Sequence, residues 1–119
     1  MFTGLLNQII DRTQGAEAAL LVGNDGIIIE RTGDQKVEDF DTLAAEYAMV
    51  MQRSRFTASD TGLGKLSEML TITDQTVLLT RMIDADFFVM IKLNTSCNLG
   101  RARYEVRRAE LMMEVMLAE

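Results

Sequence analysis

A chain of 119 residues, 48% of them apolar, has room for one sheet and a few helices around a single core and is too apolar to be disordered. Its net charge of −6, from 12 basic and 18 acidic residues, argues against a nucleic-acid binder, since neutralising phosphates needs a basic surface. No apolar run approaches a membrane span and no basic-then-apolar leader opens the chain. Together with a lone Cys97, these features predict a cytoplasmic protein with no membrane insertion, made as one domain over residues 1–119.

Leu5, Leu6, Ile9 and Ile10 give a short first helix its apolar face, ending near Gly15. Ala18–Val22 reads as a buried strand, Asn24-Asp25-Gly26 as a tight turn that tolerates positive φ, and Ile27–Thr32 as the returning strand. Gly33–Glu38 is polar. Glu38, Asp39, Asp41 and Thr42 then suit the start of a helix running from about Phe40 to Ala58. Phe40, Leu43, Ala44, Tyr47, Met51 and Ala58 form its sheet-facing stripe.

Asp60-Thr61-Gly62-Leu63-Gly64 breaks that helix. A meander follows over Lys65–Thr73, Thr76–Ile83 and Phe87–Leu93, with turns at Asp74-Gln75 and Asp84-Ala85-Asp86. Asn94–Asn98 supplies capping oxygens, and the last helix buries a stripe of Leu99, Ala102, Val106, Ala109, Met113 and Met116. The order is αββαβββα. Ala18–Val22 and Phe87–Leu93 are continuously apolar and belong in mid-sheet, whereas the Thr-rich segment from Leu66 to Thr73 belongs at an edge. A bare edge carrying Leu70 and Ile72 needs a partner strand, and a second copy would supply it.

Candidate chemistry is thin. Gly62-Leu63-Gly64-Lys65 lacks the spacing of a phosphate loop, with Ser59 where its first glycine belongs, and it precedes a strand. The carboxylate groups Asp25/Glu30, Glu38/Asp39/Asp41 and Asp84/Asp86 fall at turns and a helix start, where capping explains them. The chain has no histidine, so Cys97 has no activating base and reads as packing. No metal set, no cofactor site and no catalytic residue is expected.

One line remains. Ala45, Met49, Gln52 and Phe56 align at about 100° per residue, opposite the sheet-facing stripe, so apolar groups lie where solvent is expected. Such a line on the helix preceding the edge strand points to an interface.

The Val22-Gly23-Asn24-Asp25-Gly26 turn, the Leu43-Ala44 helix start and the passage from Asn94 to Arg103 together resemble the roadblock family, which includes dynein light chains and bacterial small-GTPase regulators. The resemblance implies an α+β fold: a five-stranded antiparallel sheet with the middle helix on one face and the terminal helices on the other. It implies a homodimer made by the middle helix and the strand after it, which places Ala45, Ala48, Met49, Gln52, Phe56, Leu66, Glu68, Leu70 and Ile72 in the dimer interface. It also implies a platform for a Ras-like small GTPase, met by Met49, Gln52, Arg53 and Phe56 and supplying no catalytic residue. The GTPase-activating bacterial members tend to small residues along the second half of the middle helix, and Gln52, Arg53, Arg55 and Phe56 depart from that. A structural scaffold of a cytoskeletal or envelope assembly and a small-molecule sensor are the alternative functions.

Overall fold

The computed structural model describes residues 2–33 and 39–118. The elements run α1 (Thr3–Arg12), β1 (Ala16–Gly23), β2 (Ile28–Gly33), α2 (Phe40–Asp60), β3 (Glu68–Ile72), β4 (Val77–Met82), β5 (Phe87–Leu93) and α3 (Leu99–Ala118). The strands form one sheet in the order β2-β1-β5-β4-β3, every neighbouring pair antiparallel. The expected α+β layout is the observed one.

Alternation along the central strands builds two cores from one sheet. Ala18, Leu20 and Val22 of β1 and Phe88 and Met90 of β5 point to one face and are covered by Phe40, Ala44, Ala48 and Met51 of α2. Ala19 and Leu21, with Val89, Ile91 and Leu93, point to the other, under Leu6 and Ile9 of α1 and Ala102, Val106, Ala109 and Met113 of α3. A continuous apolar run is therefore the signature of a strand covered on both faces. Fully burying a side chain such as Phe88 stabilises the fold by roughly 1.5–3 kcal/mol.

Local chemistry sets the joints. At the first turn, Gly26 takes φ +85°, its N–H donates to Gly23 O, and Asp25 Oδ1 accepts from Ile27 N. A Cβ on Gly26 would stand 3.0 Å from Ala45 Cα and 3.5 Å from Ala48 Cβ, so the turn packs directly under α2. Asp39, at φ 55°, caps α2 by accepting from Thr42 N. Asn98 caps α3 by accepting from Arg101 N at 3.0 Å, and its own N–H donates to Gln14 O. Asp84 Oδ1 accepts from the amides of Asp86 and Phe87, and the Glu30 carboxylate accepts from Phe2 N. These carboxylates thus serve turns, caps and chain ends. Glu38, assigned to the start of α2, lies outside the described residues.

Several boundaries differ from the sequence reading. α1 stops at Arg12, because Thr13 is extended and Gly15, at φ +88°, turns the chain into β1. α2 runs on to Asp60. β3 starts at Glu68, not Lys65: Gly62 and Gly64 take positive φ, and the bond from Met82 N to Ser67 O is where the ladder begins.

Candidate interaction surface

On α2 the side chains of Ala45, Met49, Gln52, Arg53 and Phe56 are all exposed, with Met49 66% and Phe56 60% accessible. Val50 is exposed as well, about 100° around the helix from Met49. Arg53 lays its guanidinium over the Phe56 ring, 5.7 Å from the centroid, which covers part of the ring and leaves a cation at its rim. Gln52 and Phe56 continue into an open groove of about 700 Å³ lined also by Arg55, Ser59, Gly62, Gly64, Lys65 and Leu66. Arg55 and Lys65 make this groove locally basic on an acidic chain.

Ala48 does not belong to the outward line. It is buried beneath α2 against the sheet and the Gly26 turn, because it sits about 60° around the helix from Ala45, at the edge of the sheet-facing arc. Leu66 also turns inward, packing partly buried against the α2 core ahead of β3.

β3 is an edge strand, bonded to β4 alone among the described residues. The bonds from Met82 N to Ser67 O and from Thr73 N to Thr76 O identify 67↔82 and 73↔76 as hydrogen-bonded pairs. In an antiparallel ladder such pairs recur every second residue. The amides and carbonyls of Glu68, Leu70 and Ile72 therefore face away from β4, towards the open edge. Their side chains divide: Ile72 is exposed, Leu70 packs partly against the α1/α3 core, and Glu68 is held by Arg103 Nε at 3.0 Å and Arg81 Nη1 at 3.7 Å. Tyr47 Oη and Thr71 Oγ1 are 2.8 Å apart, a hydrogen bond that joins α2 to β3.

Electrostatic work elsewhere is structural. Glu110, nearly buried, accepts from Arg81 Nε at 2.9 Å and from Arg107, which ties β4 to α3. Glu105, 1% accessible, has Arg101 Nη2 at 2.7 Å and Arg12 Nη1 at 3.8 Å, yet neither carboxylate oxygen is in a well-aligned hydrogen bond. No cluster of metal-ligating side chains occurs among the described residues. No described helix is long and apolar enough to cross a membrane. Cys97 is free and half-buried, beside Gly15.

The sequence reading missed a second exposed apolar face. On α3, Tyr104, Leu111, Met112 and Val115 are all exposed. The signal was present: at about 100° per residue Tyr104, Leu111 and Val115 fall within a narrow arc opposite the Ala102–Val106–Ala109–Met113 stripe.

A five-stranded antiparallel sheet with α2 on one face and α1 and α3 on the other defines an α+β fold class. The family model for the Roadblock/LC7 domain matches residues 3–92, and the chain belongs to that family. The matched region stops short of the Asn94–Arg103 passage, which solved structures bring in. The Roadblock/LC7 domain from Streptomyces avermitilis superposes with a TM-score of 0.87 at 16% identity, covering 98% of this chain and 97% of that one. MglB from Myxococcus xanthus gives 0.90 at 14% identity, with 99% and 96% covered. The gliding protein MglB from Thermus thermophilus gives 0.81 at 18% identity, with 92% and 82% covered. No curated protein sequence matches significantly.

Proposed function

We propose that this chain, acting as one domain over residues 1–119, is a non-enzymatic homodimeric module that binds a Ras-like small GTPase in the cytoplasm and regulates or scaffolds it. The observation that carries the reading is the presence of two unsatisfied features on neighbouring, hydrogen-bonded elements. The exposed line Met49–Gln52–Phe56 and the outward backbone groups of Glu68, Leu70 and Ile72 are joined through Tyr47 and Thr71. A second copy related by a two-fold axis satisfies both at once: β3 pairs with its mate, and the two α2 helices lie side by side. Membership of the Roadblock/LC7 family supports the same arrangement. Two α2 helices would then form a continuous floor, with Arg53, Arg55 and Lys65 at its rim as a basic frame for an acidic partner surface. The bulk of Gln52, Arg53, Arg55 and Phe56 favours scaffolding over stimulated hydrolysis.

Met49→Glu tests the reading. It places a charge without a partner in the middle of the packed helices, which costs several kcal/mol and should weaken dimerisation by orders of magnitude. Circular dichroism should be unchanged, because Met49 is exposed in the single chain. In parallel, wild-type protein immobilised and exposed to extract from its own cells, with a non-hydrolysable GTP analogue present, should enrich a Ras-like GTPase that Met49→Glu does not. A folded Met49→Glu protein with wild-type self-association and wild-type GTPase capture would overturn the proposal.

A further inference from the structure

α3 carries an exposed apolar line that neither its own core nor the α2/β3 surface uses. Tyr104 is 59%, Leu111 49% and Val115 58% accessible, and they lie directly opposite the buried stripe of the same helix. Such a line on a soluble domain marks a contact. The charges along α3 identify what covers it. Its first half carries Arg101, Arg103, Arg107 and Arg108, and its second half exposes Glu114, Glu110 being buried against Arg81. Glu105 is buried among arginines and does not reach this face.

We infer that α3 pairs antiparallel with α3 of a second copy, about a two-fold axis at Leu111. In that register Leu111 meets its own mate and Tyr104 meets the partner's Ala118. Arg107 and Glu114 lie on the same flank of the line, so each Arg107 stands beside the partner's Glu114, and symmetry makes the contact twice. Arg107 already bonds Glu110, but its side chain is 53% exposed and has donors to spare. Glu114 is exposed and has no ion-pair partner among the described residues. A parallel pairing would set the arginine-rich halves against each other and align the helix dipoles, so charge selects the antiparallel mate. The apolar line of this contact lies on α3, not on the α2 line or the β3 edge, while its flank at Arg107 and Glu114 borders the cleft that Arg55, Lys65 and Leu66 also line. The two contacts together make a tetramer, a dimer of dimers.

Sedimentation velocity on the full chain and three variants separates the two contacts. Wild type is expected to reach a tetramer at about 100 µM, Leu111→Glu to stop at a dimer, and Met49→Glu to stop at a different dimer held by α3. Met49→Glu/Leu111→Glu is expected to be a monomer. Leu111→Glu should weaken the α3 step roughly 100-fold. If Leu111→Glu unfolds, Val115→Glu, still further out in solvent, carries the same test. Orientation is read by charge exchange: Glu114→Arg weakens the α3 step, and Arg107→Glu with Glu114→Arg restores it. A folded Leu111→Glu protein that assembles as wild type overturns the inference, whatever Met49→Glu does. So does a folded charge-exchanged double variant that fails to reassociate. A monomeric Met49→Glu protein at 100 µM would likewise overturn it, leaving the face to a different protein.

Discussion

Gly15 is tightly constrained where it meets the Asn94–Asn98 turn. It sits at φ +88°, its carbonyl accepts from Asn94 N at 2.8 Å, and an added Cβ would stand 2.7 Å from Cys97 Cα. The obstruction is backbone on a neighbouring segment, so a side chain cannot be accommodated by a rotamer change. Gly15→Ala should therefore cost more than about 2 kcal/mol, from strain in φ together with the clash. Urea unfolding checks this, and a loss under half that size would show that the turn can shift. Cys97 meets the same turn from the other side but only packs there. Cys97→Ser is expected to keep the fold and self-association, at a cost within about 1 kcal/mol. Equal melting curves with lost self-association would give the thiol another role.

At the scale of elements, two joints are open to test. Arg81 of β4 is held between Glu110 of α3 and Glu68 of β3, so one guanidinium links the sheet edge to the helix layer. Glu110→Leu leaves Arg81 partly buried without its closest carboxylate, and breaking such a pair typically costs 3–5 kcal/mol when fully buried. Arg81 keeps some solvent and retains Glu68, which places the expected loss lower, at about 2 kcal/mol. Replacing both, Arg81→Met with Glu110→Leu, should recover most of it, and a thermal-denaturation double-mutant cycle reads the difference. The second joint is the open edge. The Ile72 amide faces away from β4 and its side chain is exposed, so proline there removes nothing the single chain uses. Ile72→Pro is expected to hold monomer stability within about 1 kcal/mol while weakening self-association at least tenfold. Unchanged self-association would move the dimer contact off β3.

At the scale of the whole molecule, stability and assembly are linked. If the α2 line and β3 edge are covered by a second copy, the folded state is stabilised by mass action, and Tm should rise with protein concentration. A tenfold increase in concentration that leaves Tm unmoved in wild type, but with Met49→Glu no less stable, would indicate a chain that folds and works alone. The net charge of −6 opposes close approach of copies, so the basic rim of Arg53, Arg55 and Lys65 and the mixed charges of α3 matter most at low salt. Association with an acidic partner should then be fastest in dilute buffer, whereas association of the like-charged copies should strengthen as added salt screens their repulsion.

The order of elements, the central place of β1 and β5 and the edge place of β3 were legible in the sequence. Each follows from a period and a degree of apolarity that one strand or helix carries by itself. The outward position of Ala45, Met49, Gln52 and Phe56 was legible for the same reason, since a face of a helix is a local property. Ala48, at the edge of the sheet-facing arc, was a borderline position on spacing alone, and the Gly26 turn 22 residues away in sequence helps close over it. The outward backbone groups of Glu68, Leu70 and Ile72 were likewise decided by register: a slip of one residue against β4 would have pointed them inward. The burial of Glu105 and Glu110 was decided by tertiary packing, which brings Arg12 and Arg81 to them. Sequence alone determined which residues share a face. Only the folded chain decided which faces are covered, because covering a face takes atoms from a distant part of the chain.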